Sequence, residues 1–100
     1  MDKDELTQWA LASGWQMIGA YPSLTTPSAP KEAVVRLILK ATGVDLEIRK
    51  PTGKWEKVAG QAYVKIHPDP ATGRPMNMGL DSITGFARLM QENRERRGAA

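Results

Sequence analysis

Two apolar periods alternate along the chain. Over residues 3–13, Leu6, Trp9, Ala10 and Ser13 fall at i, i+3, i+4 and i+7, and three of the four are apolar. That spacing predicts a helix with one face turned inward. Asp2 stands three residues before Glu5, the arrangement of a capping box. Asp4 and Glu5 also lie at the end of the helix where the dipole favours acids. Gly14 is placed to end the helix in the left-handed conformation, and Trp15 follows as the apolar residue that packs back on the last turn.

Trp15 to Tyr21 is a short β-prone run. Residues 22–30 hold three prolines and four Ser/Thr, which predicts a loop, because proline lacks the N–H that helices and central strands need. Residues 31–50 fit both periods. As a helix over 31–42, Val34, Leu37, Ile38 and Ala41 share a face, with Glu32, Arg36 and Lys40 opposite. As a hairpin turning at Thr42-Gly43, Val35, Leu37, Leu39 and Ala41 face the same side as Val44, Leu46 and Ile48. The hairpin sets Leu39 opposite Leu46, Leu37 opposite Ile48, and Lys40 opposite Asp45. These pairs, with the β-branched Val34, Val35 and Ile38, favour the hairpin.

Pro51-Thr52-Gly53 is a turn. After it Val58, Ala62, Val64 and Ile66 share one parity, with a bulge expected at Gly60. Trp55, Lys57, Tyr63, Lys65 and His67 take the other. Residues 68–79, rich in Pro and Gly, form a loop. A last helix over 82–97 is capped by Asp81 or Ser82, with Ile83, Phe86, Ala87 and Met90 on its apolar face. A Glu92–Arg96 pair supports it, and residues 98–100 form a frayed tail. The expected fold is therefore α+β. It is one domain over 1–100, a two-layer sandwich with both helices on one face of a 3–4-stranded antiparallel sheet.

Composition adds mainly exclusions. Hydrophobic residues make up 41% and charged residues 25% of 100, as in an ordinary globular chain. The net charge is +3, distributed as −2 over residues 1–30, +3 over 31–60 and +2 over 61–100. A weakly basic surface permits an anionic partner without requiring one. With no cysteine, disulfides, thiol nucleophiles and Cys-ligated zinc are excluded. Met1-Asp2-Lys3-Asp4-Glu5 does not resemble a secretory signal, and no apolar run is long enough for a membrane helix. The cytoplasm is the expected location, and no membrane partner is expected.

Chemical motifs are sparse. Gly53-Lys54 resembles the end of a phosphate-binding loop, but Ile48 and Trp55 occupy the positions that need Gly and Ser/Thr. His67 is the single histidine, and beside Asp69 it makes only a fragment of a metal or triad site. A polar strand end before Pro68 accounts for it. Asp45 and Glu47 share a strand face, but Lys40 and Arg49 beside them lower carboxylate pKa values rather than raise them. No enzyme activity, metal or cofactor is expected.

The predicted outer sheet face collects Arg36, Ile38, Lys40, Asp45, Glu47, Arg49, Trp55, Lys57, Tyr63, Lys65 and His67. Aromatic residues among cations can stack unpaired bases, and they can equally anchor a protein interface. The first expectation is a small non-enzymatic module that binds a protein partner, itself included, as a homodimer. Its contacts would be Trp55, Tyr63, Arg36, Ile38, Arg49, Lys57 and Lys65. The alternative is a nucleic-acid-binding domain using the same face and the arginine-rich last helix. The helix–strands–helix order is similar to that of double-stranded-RNA-binding domains in topology only. Where those domains carry a basic cluster, the last helix here opens Asp81-Ser82-Ile83-Thr84, which argues against duplex RNA. A helix over 31–42 would instead give a winged-helix-like arrangement.

Overall fold

The computed structural model describes residues 1–98. Helix α1 spans Lys3–Ala12, and its capping box is complete. Glu5 N–H donates to Asp2 Oδ1 at 2.8 Å, and Asp2 N–H to Glu5 Oε1 at 3.2 Å. Five strands follow: β1 (Gln16–Ile18), β2 (Tyr21–Thr26), β3 (Ala29–Leu39), β4 (Gly43–Arg49) and β5 (Trp55–Ala62). They form one antiparallel sheet in sequence order, which makes this an α+β fold. A 3-10 turn at Tyr63–Lys65 leads to a two-residue ladder of β6 (His67–Pro68) with β7 (Pro75–Met76). A second 3-10 turn at Leu80–Ser82 precedes α2 (Phe86–Gly98).

The sheet has five strands rather than the three or four expected, because residues 22–30 are not a loop. They form most of β2 and the start of β3, and Leu24 lies at the centre of the core. The prolines occupy places where their missing N–H does little harm. Pro27 sits in the two-residue turn between Thr26 and Ala29, where its fixed φ is an advantage. Pro22 precedes the first β2–β3 pair, Ser23↔Arg36. Pro30 falls in the irregularity between the pairs Thr25↔Ala33 and Thr26↔Ala29.

Residues 31–42 are strand and turn, not helix, so the β3–β4 hairpin forms. Its register differs from the expected one by two residues. Leu37 faces Leu46, Leu39 faces Val44, and Ile38 faces Asp45. Residues 40–42 make the connection, closed by Lys40 N–H to the Gly43 carbonyl at 2.9 Å. A slip of two leaves every side chain on its predicted face.

On β5 the bulge lies at Val58, opposite Leu46 and Glu47, and not at Gly60. Ala59 instead of Ala62 therefore joins the inner face against Leu46. The strand also ends at Ala62, so the expected alternation stops there. Tyr63 turns inward and is only 7% exposed, with its hydroxyl donating to the Lys40 carbonyl at 2.6 Å. Val64, expected inside, is 83% exposed.

The core joins Leu24, Val35, Leu37, Val44 and Leu46 of the sheet with Leu6 and Ala10 of α1, Trp15, and Phe86 and Met90 of α2. Each such large apolar side chain contributes about 1.5–3 kcal/mol by leaving water. Helix α1 touches β1 and β2 at the sheet's edge, and α2 lies along β2. Helix α2 starts at Phe86 rather than residue 82, because Gly85 takes a positive φ of 72° and Ile83 is extended. Its inward stripe is Phe86, Leu89, Met90 and Asn93, and Ala87 is exposed. Asp81 pairs with Arg74 and does not cap the helix. Glu92 pairs with Arg88, leaving Arg96 to bond β2. Gly98 closes α2, and positions 99–100 of the expected frayed tail lie outside the described residues.

Candidate interaction face

Strand parity sends Arg36 and Ile38 of β3, Asp45, Glu47 and Arg49 of β4, and Trp55 and Lys57 of β5 to the outer face. The pairs Arg36↔Glu47, Ile38↔Asp45, Glu47↔Lys57 and Arg49↔Trp55 place them side by side. The bulge at Val58 is what lets Trp55 and Lys57 share this face while Ala59 points inward.

Arg36 is the hub. Its guanidinium carbon lies 3.9 Å from the Trp55 ring centroid and 5.3 Å from that of Tyr21. Its Nε and Nη2 each approach Glu47 Oε1 at 2.8 Å. A cation over an aromatic ring at a surface contributes roughly 0.5–1 kcal/mol, and the carboxylate fixes the plane of the guanidinium. Trp55 is therefore a half-buried, oriented ring rather than a freely exposed one. Tyr21 completes the stack. It is not among the expected contacts, because the composition of residues 22–30 predicts a loop just after it and nothing in sequence brings it beside Arg36.

The remaining charges are largely paired. Asp45 holds Lys40 at 2.9 Å and Lys57 at 3.4 Å, and Glu32 stands 3.7 Å from Arg49. Such exposed pairs contribute little stability, with a median of about 0–1 kcal/mol. Their effect is on the field: cations that look like a basic patch in sequence carry carboxylates beside them. Tyr63 is withdrawn into the core, and Lys65 and His67 are exposed beyond the end of the sheet. Of the seven expected contacts, Trp55, Arg36, Ile38, Arg49 and Lys57 come together, and Tyr63 and Lys65 do not.

The hydrogen bond from Lys40 is the largest influence on the Asp45 carboxyl; burial opposes it, and with the further bond from Lys57 the carboxyl is held below its ordinary value of 3.8. A lowered folded-state pKa stabilises the fold above the unfolded value, and that contribution is lost as pH falls through the folded value. The stability difference between the native chain and Asp45→Asn is therefore expected to be constant from pH 7 to about 5. It should shrink progressively below about pH 4. Denaturant titrations at stepped pH measure it, and a difference that grows on acidification would contradict the assignment.

The other candidates gain no partners. Gly53 closes a turn with its N–H on the Lys50 carbonyl at 2.8 Å, and Lys54 beside it is exposed. Among the described residues no three His, Asp or Glu side chains are placed to hold a metal ion, and no helix is long and apolar enough to cross a membrane. Asn93 is not among the expected contacts, and Arg96, expected on Glu92, instead bonds the Thr25 and Thr26 carbonyls. Asn93 is 3% exposed and bonds Thr25 through both its carboxamide atoms. Its one sequence signal was its place seven residues after Phe86, on the inward stripe of α2. No family model matches the chain, and no curated protein and no solved structure matches it.

Proposed function

We propose that this chain is a small protein-interaction module, working in the cytoplasm, that engages a protein partner through the outer face of its sheet, a second copy of itself included. Both helices belong to the inner layer in this reading, which leaves the outer face open. The observation that carries it is Arg36 held between Trp55 and Tyr21 and anchored on Glu47. Aromatic rings and arginine supply most of the energy at protein interfaces, and a contact already ordered loses less entropy on binding. Ile38 adds apolar surface at the centre, and the Lys40–Asp45–Lys57 group forms a polar rim. The same pairing weighs against nucleic acid, whose phosphates favour cations without a carboxylate partner.

Trp55→Ala is the test. Loss of the stack is expected to cost about 1 kcal/mol of stability, a melting shift of about 4–8 °C. Partner binding should fall about thirtyfold or more, as for an interface anchor worth at least ~2 kcal/mol. Sedimentation of the pure chains over a concentration series measures self-association. Parallel capture from a native extract on immobilised native and Trp55→Ala chains measures other partners. Equal capture and equal self-association by the two chains would refute the proposal. So would capture of nucleic acid alone, with affinity collapsing as salt rises.

A further inference from the structure

A second site lies away from the sheet face, between the end of α1, the first turns of α2 and the loop that joins β6 to β7. It is a cleft of about 310 Å³, at the small end of ligand-binding cavities. Its apolar lining is Trp9, Phe86, Ala87 and Met90, and among the described residues its charged lining is Arg74 and Arg94. Among the described residues no carboxylate lines it. The aromatic wall is continuous behind the surface: buried Trp15 stands 6.1 Å from Trp9 and 6.3 Å from Phe86.

The two arginines differ in how they are held. Arg74 lies 5.8 Å over the Phe86 ring, and its Nη2 donates to Asp81 at 2.5 Å. That carboxylate engages one part of the fork and orients the rest of the guanidinium beside the cleft. Arg94 makes no ion pair among the described residues. Its backbone is pinned, since Gly14 at the end of α1 packs directly against it. One oriented guanidinium and one with no carboxylate partner among the described residues thus border a wall of aromatic rings and a thioether.

We propose that this cleft binds a small aromatic carboxylate, its ring against Trp9, Phe86 and Met90 and its carboxylate on Arg94 with Arg74 in support. A planar guanidinium takes a carboxylate in two parallel hydrogen bonds. Offset or tilted stacking on indole and phenyl rings selects an aromatic body over a flexible one. The site is separate from the sheet face, so the two proposals stand or fall apart.

1-Naphthoate is the probe, and the indole N–H resonances of the three tryptophans in a ¹⁵N-labelled chain are the readout. Saturable shifts of Trp9 and Trp15 with Trp55 unmoved are expected, with a Kd below about 1 mM. The isosteric cation 1-naphthylmethylamine should leave Trp9 unmoved. Arg94→Gln is expected to weaken naphthoate about tenfold. Ala87→Glu, which sets a carboxylate in the exposed part of the lining, should abolish binding, and Trp55→Ala should leave it unchanged. The same spectra report whether each variant is folded. The proposal is overturned if naphthoate moves neither Trp9 nor Trp15, if the amine binds as well, or if both cleft variants bind as the native chain does.

Discussion

Asn93→Ala should cost about 3 kcal/mol of folding stability, although it removes neither a charge nor a large apolar group. Strand β1 pairs with β2 only as far as Gln16↔Ser23, because the chain before Gln16 has already turned into α1. The next outward-facing backbone groups of β2, at Thr25, therefore have no strand beside them. Asn93 stands in for the missing strand. Its Oδ1 accepts from Thr25 N–H at 3.1 Å and from Thr25 Oγ1 at 3.3 Å, and its Nδ2 donates to the Thr25 carbonyl at 2.9 Å. A further bond to the Leu89 carbonyl at 2.8 Å holds the rotamer. Alanine would leave the Thr25 N–H buried and unpaired, whereas the Thr25 carbonyl keeps Arg96 Nη2 at 2.7 Å. Stranding a buried donor costs about 1–3 kcal/mol, in addition to the other bonds lost. Asn93→Asp should be no better, because it preserves the acceptor but turns a carboxylate oxygen toward two carbonyls. Arg96→Gln, at a half-exposed position, should cost about 1 kcal/mol. Urea denaturation of the three variants gives the order, and a loss below about 1 kcal/mol for Asn93→Ala would show that water can replace the amide.

Where the local sequence carried its own geometry, the fold was legible. Asp2 and Glu5 make the capping box their spacing implies, and Gly14 and Trp15 end α1 as expected. The β3–β4 hairpin was readable because Leu37, Leu39, Val44 and Leu46 have one face to hide, and a two-residue slip preserves that face. The β2–β3 hairpin was not. Three prolines in nine residues argue for a loop by composition, and only the pairing register shows that Pro27 and Pro30 fall outside the paired positions and that Pro22, opposite Met17 of β1, lies before the first β2–β3 pair. The start of α2 was hidden for a related reason. Ile83 keeps the helical spacing of Phe86, Ala87 and Met90, but Gly79 and Gly85 both take positive φ and hold residues 80–85 out of the helix.

The interaction face was legible only as far as strand alternation persists. Parity placed Trp55 and Lys57 outward correctly, even though the bulge that makes this consistent lies at Val58 and not Gly60. Tyr63 failed because alternation ends one residue before it, and a 3-10 turn reverses which side is buried. The Arg36 stack was out of reach, since it needs β2, β3, β4 and β5 side by side to bring Tyr21, Arg36, Glu47 and Trp55 together. The pairing of the cations was partly visible. Lys40 meets Asp45 as expected, though diagonally rather than directly opposite.

Gly14→Ala should destabilise the fold by about 3–4 kcal/mol. Two independent costs meet at this residue. Gly14 has φ of +101°, a region that L residues other than glycine rarely enter, at a cost of roughly 1–2 kcal/mol. The helix end depends on that conformation. It lets Trp15 N–H reach the Ala10 carbonyl at 3.0 Å and Gly14 N–H the Leu11 carbonyl at 3.5 Å, and it lays Trp15 back against Trp9. The second cost is steric. A Cβ on Gly14 would stand 2.8 Å from the backbone nitrogen of Arg94 and 2.9 Å from its Cα, so α1 and α2 would have to separate. Overpacking of this kind costs about 1–3 kcal/mol. Gly19→Ala separates the two terms. Gly19 also has positive φ, +61°, but nothing lies within 4 Å of its would-be Cβ. It should lose about 1–2 kcal/mol, the conformational cost alone. If the two variants lose the same amount, the contact between the helices is not tight. If Gly14→Ala loses about 2 kcal/mol more, the excess measures the contact. Ser13 and Arg94 both line the aromatic cleft beside this contact. The same substitution should therefore also weaken naphthoate binding, by moving the Arg94 guanidinium away from the rings.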